Sequence, residues 1–413
     1  MKVKNFKSKL KQNPVSCIVF LATVIVVLLS LTSVLFPALI LRSLGGFDDN
    51  VGIDPFEPGS LAYSFLITNF IFLALGFLYY KNKLPQIITK SIRFIFNFEI
   101  SSKLAFFVII IIIGAYIVLS VGELFNGEFL ADYHKRVEYF LENYDVTKIG
   151  GMGLSNHVTL FLTSSSMLLF GNYKVVPFIA SITLLVLTYF FTFEITQKRF
   201  AGIIAMVIVL QSRVFLFFDT SVAYPNYWVV FYLLSLYLIC KKWPLAPISY
   251  VLSLFTKILS GIFFPMTLFF IYRSSIVKRK KILLFISYGI ILLLGVGILM
   301  LLGQSAGLDD PSSFEFNSHD FWGGFSTFSS TFRIDSHVLL FLLPLTVGLF
   351  IASRKGVLHA DSIMFFILTM LLFSPFFGAL TYASNPPYRF MPMIIFFAIG
   401  IGVLFSKRFN LKV

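Results

Sequence analysis

Six of the 19 acidic residues fall between positions 122 and 156, in GELFNGEFLADYHKRVEYFLENYDVTKIGGMGLSN. The rest of the sequence runs from one apolar stretch to the next. Ionisable groups are costly to organise in a lipid-embedded chain, so this segment, centred on Asp132 and carrying Glu123 and Tyr133, is where chemistry is expected. Lys257 is a second such position. It lies inside the apolar run 247–271, where a charge is tolerated only beside water or an anion. Late in the chain, Tyr388 and Arg389 sit in the motif PPYRFMP, just before the last apolar run. His134 and His157 flank the acidic segment, but two histidines among scattered acids do not define a metal site.

These residues must be positioned by membrane helices. The chain has 413 residues, of which 58% are hydrophobic and only 13% charged, a composition that defines an all-α polytopic membrane protein. Apolar runs recur at 16–41, 61–80, 104–121, 175–195, 201–217, 227–240, 247–271, 282–302, 337–353, 361–380 and 391–405. Most approach the ~20 residues a helix needs to cross the hydrocarbon core. The runs are continuous and do not alternate, which excludes a barrel. A net charge of +14 would suggest nucleic acid in a soluble protein; here the basic residues lie in short segments between spans and report orientation instead. Cys17 and Cys240, both at cytoplasmic ends of spans, cannot form a disulfide framework.

Counting crossings with 247–271 as one span would put Arg273, Lys278, Arg279, Lys280 and Lys281 outside. The conflict disappears if that run is a hairpin of two short helices joined near Lys257 to Gly261, which gives about 12 transmembrane helices. With this topology 24 of 33 Lys and Arg are cytoplasmic and 16 of 19 Asp and Glu external, so both termini are expected in the cytoplasm. The competing geometry is one tilted span in which Lys257 snorkels or pairs with an acid. Loops 122–156 and 303–336 then face outwards. Residues 157–170 are too few to cross and read as a helix lying on the outer surface. Within the acidic loop Phe129, Tyr133, Val137, Phe140, Leu141 and Tyr144 have the spacing of an amphipathic helix resting on the membrane. Two regions follow, 1–103 with an extra pair of spans and a basic cytoplasmic linker, and 104–413 with the two outer loops. Localisation is expected in the cell membrane, or the endoplasmic reticulum membrane of a eukaryote.

The order of these elements resembles a known family. Asp132-Tyr133 in an outer loop, His157 to Gly171, Lys198-Arg199-Phe200, Thr256-Lys257 and Pro386 to Pro392 are similar to the GT-C glycosyltransferases, nearest the protein O-mannosyltransferase-like branch (glycosyltransferase family 39). The likeness covers about residues 104–405. It departs where the family carries two adjacent loop acids, since Asp132 is followed by Tyr133, and where Val158-Thr159 follows the loop histidine. The resemblance implies a GT-C-like fold and transfer of a sugar, mannose in that branch, from a polyprenyl-phosphate donor to an acceptor hydroxyl on the outer or lumenal face, with inversion. The acceptor would be a protein, lipid or glycan. Such a reaction needs a base, cations for the departing phosphate and an apolar groove for the carrier tail. Asp132 can be the base, or the partner of Arg136 in an i,i+4 ion pair. Lys257, Arg389 and Arg213 can hold the phosphate. Lys257 and Arg389 are expected to converge on one anion site beneath Asp132. Arg389 also reads as an interfacial residue, and Arg213 as the partner of Asp219. His157, Tyr133, Glu123 and Tyr388 complete the substrate-binding set. No cofactor is indicated, and a need for a divalent metal is left open.

Two other classes compete. An ion-coupled transporter ordinarily carries ionisable groups near the bilayer midplane, and apart from Lys257 the centres of these spans lack them; a flippase for lipid-linked sugars with a charged cavity survives that test. A non-catalytic GT-C-like subunit is the other reading. No Gly-rich nucleotide loop, Gly-x-Ser-x-Gly or His-Glu-x-x-His is present, which sets aside nucleotide-dependent enzymes and the simplest hydrolases.

Overall fold

The computed structural model of the chain describes residues 14–39, 54, 56–81, 83–128, 130, 133–143, 156–303, 316–357, 359–381 and 387–407. Among these residues every regular element is helical. In chain order the helices are α1 (Pro14–Leu35), α2 (Ala62–Tyr80), α3 (Gln86–Asn97), α4 (Ser102–Ser120), α5 (Glu138–Glu142), α6 (His157–Phe170), α7 (Val175–Thr196), α8 (Arg199–Leu210), α9 (Arg213–Phe218), α10 (Tyr227–Lys241), α11 (Ala246–Thr256), α12 (Phe263–Arg273), α13 (Lys278–Gly303), α14 (Ser318–Gly324), α15 (Ser329–Ile334), α16 (Ser336–Arg354), α17 (Ala360–Thr381) and α18 (Met391–Leu404).

Seven stretches among the described residues are long and apolar enough to cross a bilayer: Pro14–Leu35, Ala62–Tyr79, Ser102–Phe125, Val175–Thr196, Ser336–Arg354, Ala360–Ala379 and Pro387–Leu404. The chain is a helical membrane protein. Five further apolar helices, of 10–17 residues, fall short of a full crossing length. Two apolar runs are broken into shorter helices. The run 201–217 divides into α8 and α9 because Ser212 takes an extended conformation and its Oγ accepts from Phe215 N at 3.0 Å, starting a new helix. The run 247–271 divides at Lys257, as the charge at that position led us to expect.

The chain forms two compact units. The first comprises residues 1–99, 195–201 and 314–413. Its centre is α18, of which almost every residue is buried, against α16 and α17; apolar on all sides, it has no polar face to turn to water. Helix α1 packs on α16 and α17 and is fastened near its start, where the buried Ser16 hydroxyl donates to Asp361 at 2.8 Å and lies 2.7 Å from Ser353 Oγ. Helix α14 lies close against α17: a Cβ on Gly324 would fall 2.4 Å from Pro375 Cα, so only glycine permits the approach.

The second unit comprises residues 100–194 and 202–313. Helices α10 and α11 are antiparallel and linked by hydroxyls. Ser235 Oγ donates to Ala246 O at 2.9 Å, Ser249 Oγ to Phe231 O at 2.7 Å and Ser253 Oγ to Trp228 O at 2.7 Å. The chain then reverses. Ser253 and Ser260 Oγ are 2.9 Å apart, and Phe263 at the start of α12 stacks on Trp228 and Tyr232 with centroids 5.5 and 4.0 Å away. Helix α11 therefore ends, and α12 begins, level with the first turns of α10, a hairpin as the sequence implied.

Candidate functional site

Lys257 sits at the reversal. It follows the last residue of α11 with extended backbone (φ −159°, ψ 118°), and its Nζ lies 5.4 Å from the centre of the Trp228 ring. The ring is held flat against Phe263, with an interplanar angle of 4°, so the cation has a fixed aromatic floor. Helix α6 is fastened to the same turn. Thr159 Oγ1 donates to Thr256 O at 3.0 Å, satisfying a carbonyl at the end of α11 that the helix itself leaves open. His157, half-buried, opens α6 two residues earlier. Gly171, at φ +66°, closes the same helix in the left-handed conformation.

The described part of the acidic segment packs on protein. Residues 133–137 form a wide helical turn leading into α5. Tyr133, Val137, Phe140 and Leu141 pack with Leu160 of α6, Val222 and Tyr173. Asp132, Phe129 and Tyr144 lie outside the described residues. Two acids that precede Asp132 hold the link between α9 and α10. Glu123 Oε2 accepts from Thr220 Oγ1 at 3.3 Å, while Glu128 accepts from Ser221 Oγ at 3.1 Å and Val222 N at 3.0 Å. His134 Nε2 lies 2.9 Å from Glu128 O, and its Nδ1 3.3 Å from Glu138.

Asp219 is the most constrained acid of this unit. It follows α9, outside the spanning helices, and its side chain is fully buried. Oδ2 accepts from Tyr116 Oη at 2.8 Å, and Oδ1 has no hydrogen-bond partner. Ser181 Oγ donates to Asp219 O at 2.8 Å and accepts from Asn226 Nδ2 at 3.0 Å, fixing the turn. Burial pushes the carboxyl up to about 7, the Tyr116 hydrogen bond opposing the shift and the charge of Glu123 adding to it. Tyr116, rather than Arg213, is thus the side chain that holds Asp219. Arg213 is the exposed first residue of α9. Sequence reasoning gave Asp219 only that lesser role; an acid in the polar stretch DTSVAYPN between two apolar runs is the signal that pointed to it.

Arg389 and Tyr388 belong to the first unit, in the 3₁₀ turn Pro387–Phe390 that leads into α18. The guanidinium lies over Phe377, with Cζ 4.6 Å from the ring centre, and Nε donates to the Tyr388 hydroxyl at 3.4 Å. Its Nη1 is buried without a partner, the condition of a donor that awaits an acceptor. Of the expected set, therefore, Tyr133, Glu123, His157 and Lys257 belong to one connected region of the second unit, and Arg389 with Tyr388 to a separate turn of the first. Among the described residues no three of His, Cys, Asp and Glu are grouped as metal ligands.

No protein-family model matches the chain, and neither a curated protein nor a solved structure matches it.

Proposed function

We propose that the chain is a membrane glycosyltransferase that moves a sugar from a polyprenyl-phosphate donor to an acceptor hydroxyl, with Asp132 as base and Lys257 as a phosphate ligand. One observation carries this reading. Two consecutive residues of α6 bear on the two halves of the expected chemistry: Leu160 belongs to the apolar cluster on which Tyr133, the residue after Asp132 in sequence, packs, and Thr159 bonds Thr256, the residue before Lys257. A base segment and a cation turn fastened to one helical turn fit a reaction in which proton removal and phosphate departure occur on one substrate. The cation stands on an aromatic floor, suited to the junction between a phosphate and an apolar carrier. In the first unit, Arg389 carries a donor group of the fork type that phosphate favours.

The test is transfer of radiolabelled sugar from polyprenyl-phosphate donors in proteoliposomes, using the wild type and Asp132→Asn. A general base contributes ~10²–10⁴-fold, so the variant should lose activity by that factor while donor binding persists. Transfer within a few-fold of wild type would move the base to another acid; no transfer from any polyprenyl-phosphate sugar would remove the proposal.

A further inference from the structure

Helix α3 stands apart from the other described helices of its length, because none of its residues is buried. The sequence QIITKSIRFIFN separates into faces at helical period. Gln86, Lys90, Arg93 and Asn97 form a polar row, and Ile87, Ile88, Phe94 and Ile95 an adjacent exposed apolar surface. Ile87 is 79% exposed and Phe94 67%. The opposite edge is occupied: Phe96 stacks on Phe405 at 4.9 Å and its carbonyl accepts from Lys198 Nζ. The helix is thus fixed to the protein along one side while presenting isoleucine, phenylalanine and two cations along the other.

Connectivity says what lies there. Helix α2, a spanning helix, ends at Tyr80, and the spanning helix α4 begins at Ser102. Neither connection exceeds five residues, a reach of about 17 Å when fully extended. At 12 residues α3 is about 18 Å long, too short to cross but suited to lying in the plane of the interface. The whole segment from 81 to 103 carries Lys81, Lys83, Lys90, Arg93 and Lys103 against the single acid Glu99. Lys90, Arg93, Phe94, Asn97 and Phe98 line one open recess, cations and an amide on one wall and aromatic rings on the other.

We infer that α3 is a binding site for anionic phospholipid at the membrane surface, Lys90 and Arg93 holding the headgroup phosphate and Phe94 and Phe98 lying along its acyl chains. Two cations three positions apart on one helical face suit a phosphodiester with a further acidic or hydroxylated headgroup. The aromatic wall selects a lipid over a free anion. A protein partner would need the apolar face to leave the bilayer surface, which connections this short oppose.

Phe94→Trp in the full-length chain reports the site. The variant is reconstituted in phosphatidylcholine with brominated phosphatidylglycerol or brominated phosphatidylcholine, and the wild-type signal of the native tryptophans is subtracted. Brominated phosphatidylglycerol should quench the introduced indole several-fold more effectively. A basic residue near an anionic surface is worth roughly fivefold in binding, so adding Lys90→Gln and Arg93→Gln should remove the preference. Equal quenching by the two lipids, or a preference unchanged in the charge-neutral variant, overturns the inference. Loss of the preference with ~10 mM inorganic phosphate, but not with chloride at equal ionic strength, would make this a free-anion site and overturn the lipid assignment.

Discussion

Replacing Asp219 with asparagine should raise stability relative to the wild type as pH rises from acid to alkaline, on top of a pH-independent cost. The buried carboxyl is held at about 7, against ~3.9 for an unfolded aspartate. Because the folded value is the higher one, the folded chain binds the proton more tightly; the stability this gives is complete below pH ~4 and is lost as pH rises through about 7. At ~1.4 kcal/mol per unit, the three-unit gap sets a ceiling of ~4 kcal/mol on the loss. Asparagine keeps an acceptor for Tyr116 Oη and removes the titration, but adds an amide whose donors cost about 1–3 kcal/mol if left unpaired. That amide cost is the same at every pH, so the informative quantity is the difference between mutant and wild-type melting temperatures as a function of pH. Measured by intrinsic fluorescence in one detergent, the difference should rise by several degrees between about pH 4.5 and pH 8. A flat profile would mean that Asp219 does not carry a raised pKa. A falling one would mean that its charged form is stabilised by a cation, and would refute the argument from burial.

Gly324→Ala should lower the melting temperature, since its Cβ would lie 2.4 Å from the Pro375 backbone and separate α14 from α17; overpacking of this kind costs about 1–3 kcal/mol. Ser253→Ala should cost about 1 kcal/mol by removing the hydroxyl that links Trp228 O and Ser260 Oγ, while Ser287→Ala, whose exposed hydroxyl only bonds its own helix at Leu283, should stay within ~0.5 kcal/mol. Arg389→Lys should reduce sugar transfer at least about tenfold in the proteoliposome assay although the charge is kept, because a lysine loses the fork and the stack on Phe377. Full activity in that variant would mean that the fork plays no part in transfer.

The break at Lys257 was legible in the sequence because a charge within an apolar run has few solutions, and the basic cluster after residue 273 required the chain to return. The break at Ser212 was not legible. Arg213 stands beside it, but a cation four residues from the end of the run also fits the rim of a single span, and the capping role of Ser212 depends on a backbone conformation that periodicity does not report. The apolar stripe of the acidic loop is legible as a stripe, but its protein neighbours are not. Periodicity identifies a face to be covered; only the tertiary contacts with Leu160 and Val222 identify the cover. The same limit applies to Asp219. Its spacing from Arg213 suggested a local pair, whereas its partner Tyr116 lies 103 positions away.

The two units solve helix association differently, and the contrast bears on where chemistry can be built. Lipid tails are as apolar as the side chains they would exclude, so helices in a membrane gain little from burying leucine and must rely on close packing and hydrogen bonds. Around α18 the first unit uses packing, with a helix enclosed by apolar neighbours. Between α10 and α11 the second unit uses three serine hydroxyls, each bonded to a carbonyl of the opposing helix. Such bonds fix register as well as distance, because each joins one hydroxyl to one carbonyl. The last of them, Ser253 to Trp228, lies one turn before Lys257 and on the residue that forms its aromatic floor. The position of the cation over that ring is therefore set by the bond that sets the register of the two helices, and a phosphate ligand built there would be placed before its substrate arrives.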